Sequence, residues 1–104
     1  MTIATQQHMA NEQIAEHAVN RSMAVALSAL GWTLGESARA DRLLALTGLS
    51  PSDLRESIET PAVLAALLQF LEAHELDLVA CAAALGIEPT ELVRARKILE
   101  VQSS

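Results

Sequence analysis

The segment "LTGLSPSDL", residues 46–54, decides the fold, and "ALGIEPTEL", residues 84–92, restates it. Gly48 has no Cβ, so it can take the left-handed conformation that closes a helix. Leu49 then folds back on the preceding turn, Ser50 caps the next helix, and Pro51 fills the first helical position, where its missing N–H costs nothing. Asp53, three residues after the cap, completes a capping-box arrangement. Gly86, Ile87, Pro89 and Glu91 repeat the pattern, with Glu88 at the cap, a poorer choice than serine. Each corner therefore predicts a helix on either side of it.

Outward from these corners the apolar spacing agrees. Upstream, Asn11 offers an N-cap, and Ile14, Ala18 or Val19, Met23, Ala26 or Leu27, Leu30 and Leu34 follow at threes and fours, which predicts one long amphipathic helix. Gly31 is a point where it can break, and Gly35 is its stop. A second helix over 37–47 caps on Ser37 and buries Leu43, Leu44 and Leu46. The helix after Pro51 is brief, because Thr60 and Pro61 announce the next start. The segment 61–74 is apolar almost all round, 76–85 carries only Asp77 as a polar residue, and 89–101 is amphipathic through Leu92, Ala95 and Leu99. No stretch shows the alternation of a strand. The expected fold is all-α, a compact bundle of about six helices, with the fourth and fifth most central. One domain spans 11–101, with frayed ends at 1–10 and 102–104.

Composition narrows the function. The 104 residues are one domain's worth, and 51% are hydrophobic but only 2% aromatic, so leucine, alanine, valine and isoleucine must build the core. One Trp, one Phe and no Tyr leave little to stack on bases or sugars. A net charge of −6 opposes attraction to phosphate backbones and anionic membranes. The imbalance is local, since eight carboxylates and only Arg55 lie between Asp53 and Glu91, whereas Arg94, Arg96 and Lys97 follow with Glu100 alone beside them. Cys81 is the sole cysteine, which excludes an intrachain disulfide and points to a reducing compartment, the cytoplasm. "MAVALSALGWTL" (23–34) followed by "ARA" (38–40) imitates a secretory signal, yet it starts behind Glu12 and Glu16 without a basic cluster and is too short to span a bilayer.

Candidate chemistry is sparse. "CAAALGIEPTELVRA" (81–95) resembles a helix-turn-helix: Ala82 precedes Gly86 by four places, Leu85 and Ile87 flank the glycine, and Leu92 and Ala95 follow. Under this alternative, residues 77–100 bind DNA and Arg94, Arg96 and Lys97 supply the phosphate contacts. Glu88 and Glu91 would stand at the same backbone, and the pattern is also what two helices across a tight turn require. His74, Asp77 and Cys81, with Glu72 and Glu75 nearby, share a face only if the helix runs unbroken through 74–81, and no short ligand-pair motif is present, so no metal site is expected. His74 suits an exposed helix carboxyl end. Cys81 lies in "VACAAAL" without a basic neighbour and reads as an inert core thiol. Glu56 and Glu59 read as a solvated face, and the four glycines are too scattered for a phosphate loop. Trp32, a residue type favoured at binding hot spots, reads as core. No catalytic residue, cofactor or enzymatic activity is expected.

"LLALTGLSPSDLR" (43–55) followed by "LLQFLEAHELDLVACAAALGIEPTELVRAR" (67–96) resembles a small alphaproteobacterial family, domain of unknown function 3572, over approximately residues 20–100. The resemblance implies a cytoplasmic, stand-alone helical protein and brings no activity or site residue. The expected role is a non-catalytic protein–protein interaction module, with another protein or a second copy of itself as partner, because two nearly all-apolar helices in so short a chain need covering on every side. Nucleic acid and membrane are not expected partners.

Overall fold

The computed structural model describes the backbone of residues 2–103 and the side chains of residues 15–103. Six α-helices follow in order: α1 Thr2–Leu34, α2 Ser37–Thr47, α3 Pro51–Glu56, α4 Pro61–Glu72, α5 Glu75–Leu85 and α6 Pro89–Ser103. No strand occurs among the described residues.

Both glycine corners form as the sequence dictates. Gly48 and Gly86 sit at φ 72° and 71°, and no other described residue has positive φ. They close their helices differently. At Gly48 a single bond runs from its N–H to the Leu44 carbonyl, 3.0 Å. At Gly86 the chain makes a Schellman closure, with Ile87 N–H on the Ala82 carbonyl at 3.0 Å and Gly86 N–H on that of Ala83 at 3.2 Å. Leu49 and Ile87 both pack back on the core. Ser50 Oγ accepts the Asp53 N–H at 3.0 Å while an Asp53 carboxylate oxygen accepts the Ser50 N–H at 3.2 Å, a complete capping box. These bonds, the one from the Ser50 backbone first, hold the Asp53 carboxyl below its ordinary range.

Two expected N-caps, Asn11 and Ser37, and the break point at Gly31 differ, whereas Thr60 and Pro61 start α4 as expected. Helix α1 begins at Thr2, so Asn11 lies inside it rather than at its start. Glu36, not Ser37, is the N-cap residue of α2, and Thr60 holds that place before α4; neither side chain makes a cap bond. Gly31 does not break α1. Met1 and Ser104 lie outside the described residues.

The centre of the bundle is α6 with α4 and α1 against it. Leu92, Ala95 and Leu99 of α6 meet Leu64, Leu67, Leu68 and Leu71 of α4 and Ala26, Ala29 and Leu30 of α1, all 4% exposed or less. Burying each leucine stabilises the fold by roughly 2 kcal/mol. Thr33, also buried, satisfies its hydroxyl on the Ala29 carbonyl at 2.8 Å. The expectation that α5 is as central as α4 is not met. Only Cys81 and Ala82 of α5 are buried, and Leu76 is 88% exposed. Leu78, Cys81, Ala82 and Leu85 seat α5 along one narrow side, and the rest of the helix, Leu76 and Val79 included, faces outward.

Polar ties register the helices. Arg96 of α6 grips Glu72 of α4 through Nε at 2.6 Å and a terminal nitrogen at 3.1 Å, and reaches Glu100 at 2.9 Å. These bonds, that to Glu72 foremost, raise the Arg96 pKa further. Gln69 donates to Glu100 at 2.6 Å, and Arg42 of α2 pairs with Asp77 of α5 at 3.0 Å. Arg39 lies 3.7 Å above the Trp32 ring and donates to the Trp32 carbonyl at 2.6 Å, stapling α2 to the end of α1. The molecule measures 56 × 28 × 18 Å. Its long dimension is set by α1, about 50 Å at 1.5 Å per residue.

Candidate functional site

The most developed concavity is an open groove of about 460 Å³ between the end of α2, the Gly48 corner and α4. Local sequence builds it. The last turn of α2 points Leu46 outward, 66% exposed, and Leu49, past the corner, lines the same groove. The chain then leaves through α3 and returns at Pro61, where α4 supplies a floor of Ala62, Ala66 and Ala73 with Val63 and Phe70 beside them. Small side chains at these spacings leave space where leucines would fill it. The sequence suggests that Ala62, Ala65, Ala66 and Ala73 admit a neighbouring helix; Ala65 is buried, whereas the other three line the groove.

The groove's polar neighbours are already engaged. Thr47 donates its hydroxyl to the Leu43 carbonyl at 2.7 Å, and Gln69 turns to Glu100. The His74 ring lies 4.7 Å from that of Phe70, and its Nδ1 is 2.8 Å from the Phe70 carbonyl. A carbonyl only accepts, so Nδ1 carries the hydrogen. His74 does stand at a helix carboxyl end, just past the Ala73 C-cap of α4, but it is half-buried rather than exposed and is also the N-cap residue of α5. What remains open is mainly apolar, which suits an apolar occupant.

The other sequence candidates do not assemble into a reaction centre. Arg94 and Lys97 are exposed around a depression of about 400 Å³ with Thr90 and Val93, but Arg96 is turned away from them into its double bond with Glu72. The α5–α6 corner has the buried Ala82, Leu92 and Ala95 that a helix-turn-helix needs, and its Glu91 pairs with Arg21 at 3.4 Å. His74, Asp77 and Cys81 do not converge, since the first bonds Phe70 and the second pairs with Arg42. Among the described residues no three His, Cys, Asp or Glu stand close enough to hold a metal ion. Cys81 is fully buried, and burial pushes its thiol up to about 11, with Arg39 opposing weakly. Trp32 is half-buried and has an internal partner in Arg39. Among the described residues no helix is long and apolar enough to cross a membrane.

Fold and surface together define a small all-α domain with an open, mainly apolar groove. Residues 19–102 match the model of the family described as "Protein of unknown function (DUF3572)", and the chain belongs to that family. No curated protein and no solved structure shows a match.

Proposed function

We propose that this protein is a non-catalytic interaction module whose groove receives the apolar face of a partner's helix. The observation that carries the reading is the groove itself: a floor of alanines, walls of Leu46, Leu49 and Val63, and polar neighbours satisfied internally. An amphipathic helix inserts side chains at i, i+3 and i+4 into such a trough. The partner's polar face is basic. The segment between Leu49 and Ala62, both of which line the groove, carries Asp53, Glu56 and Glu59 against Arg55, within a chain of net charge −6. The reducing cytoplasm fits a lone buried thiol as the setting.

The test is an amide-shift titration with a synthetic leucine-rich helical peptide bearing lysines on its polar face, beside a glutamate-faced counterpart. Perturbations around Leu46, Val63 and Ala66 with the lysine peptide, weaker with the glutamate peptide and lost in Ala66→Arg, are expected. Silence of the groove residues at millimolar peptide would end the reading.

The alternative is a helix-turn-helix DNA binder, for which the exposed Arg94 and Lys97 on α6 speak. Against it, Arg96 is committed to Glu72 and Glu88 is exposed at the start of the same helix. Duplex titration at low and moderate salt separates the two, because phosphate contacts give steeply salt-dependent affinity. No binding at low salt is expected.

A further inference from the structure

The apolar groove has a neighbour that continues it. Past His74 lies a second hollow of about 290 Å³, lined by Arg42, His74, Glu75, Leu76 and Asp77. His74 lines both hollows, and α2 flanks both: Leu46 borders the first, and Arg42, one turn earlier on the same side of α2, borders the second. The two are therefore compartments of one trough, walled by α2 and floored first by α4 and then by the first turn of α5. His74 is the saddle between them. Its ring lies 4.7 Å from that of Phe70 and its Nδ1 is engaged by the Phe70 carbonyl, two contacts that hold the saddle in place.

A lone exposed leucine is ordinary on a protein surface, but one at the end of an apolar trough offers an occupant a further contact. Leu76 is that residue, 88% exposed and lining the second hollow. Charge at this end matches the rest of the trough. Arg42 and Asp77 neutralise each other at 3.0 Å, whereas Glu75 is exposed with no ion pair among the described residues. The charge left open here is thus negative, as it is on the segment between Leu49 and Ala62.

Resting on the groove reading above, we propose that the partner's basic amphipathic helix runs the whole trough: it passes over His74, seats an apolar side chain against Leu76 and sets a cation over Glu75. The α4 floor from Ala62 to Ala73 covers about 16 Å, or three turns, at 1.5 Å per residue. An occupant that also reaches Leu76 needs roughly 16 residues or more. The first turn of α5 therefore selects for length, favouring a helix of more than four turns over one that fills the groove alone.

Fluorescence anisotropy with the full chain tests this, using labelled lysine-faced, leucine-rich peptides of about 12 residues and of about 19, the longer ones extended by two turns at one end or the other. One long peptide is expected to bind about tenfold tighter than the short one, the worth of one well-seated apolar contact. Leu76→Gln should abolish that gain and Glu75→Gln should reduce it several-fold, while the short peptide binds all three proteins alike. Both positions are exposed, so the melting curves of the variants should match the parent's. A long peptide whose added leucines are replaced by glutamine should fall back to the affinity of the short one, which separates the new contact from the greater helicity of a longer chain. Binding of the short peptide with no gain from either extension, or a gain that survives Leu76→Gln or the glutamine extension, overturns the continuation and leaves the groove reading standing. No binding by any peptide, or binding indifferent to Ala66→Arg, overturns both.

Discussion

Ser50 and Cys81 show how single side chains act on this fold in opposite ways. Ser50 contributes a bond that the unfolded chain cannot keep, so Ser50→Ala should lower the unfolding free energy by about 1 kcal/mol, read from urea midpoints at constant slope. Cys81 acts through what the fold denies it. Its thiol is held neutral until about 11, whereas in the unfolded chain it ionises near its ordinary 9.0. The folded value is the higher one, so this contribution is intact below pH 9 and is lost as pH rises towards 11. No tyrosine is present to obscure that window. Urea midpoints should fall more between pH 8.5 and 11 in the native chain than in Cys81→Ala, and equal slopes in the two would refute the assignment.

At the scale of elements, the glycines separate conformational need from tolerance. Gly86 sits at φ 71°, where an L side chain is strained although nothing crowds its Cβ position, so Gly86→Ala should destabilise by about 1 kcal/mol. Gly31 lies inside α1, exposed, with nothing within 4 Å of an added Cβ, and Gly31→Ala should stabilise by roughly 0.5–1 kcal/mol. Thermal melts of the two variants should therefore move in opposite directions. The corners were legible in the sequence because every residue that makes them lies within a few positions of its partner. Caps were half legible: Ser50 completes its box, whereas Thr60, in the same cap-then-proline setting, makes no side-chain bond. Burial was less legible still. α4 and α5 give the same all-apolar reading, yet only α4 is enclosed, because α5 seats Leu78, Cys81, Ala82 and Leu85 on one side and leaves Leu76 and Val79 outside.

At the scale of the whole molecule, what the sequence could not disclose is what lies between elements distant in the chain. The groove joins Leu46 and Leu49 to Ala66 and Ala73, and Leu46 alone reads as one more core leucine until the end of α2 is seen pointing outward. The same holds for Arg96. It stands in the sequence as the middle of a basic trio, yet its partner Glu72 is 24 positions away, and the pair is four-fifths shielded on the arginine side. A partly buried bidentate pair is costly to break from one end, because the remaining charge loses its compensation. Arg96→Met removes the bidentate partner of Glu72, and should lower the unfolding free energy by about 2 kcal/mol. The Glu72→Gln/Arg96→Met double variant should recover part of that loss, which a double-mutant cycle in urea measures as coupling. Additive losses would mean that α4 and α6 are held in register by their leucines alone. Coupling of a kilocalorie or more would instead show that the pair fixes how α4 lies on α6, and with it the floor of the groove.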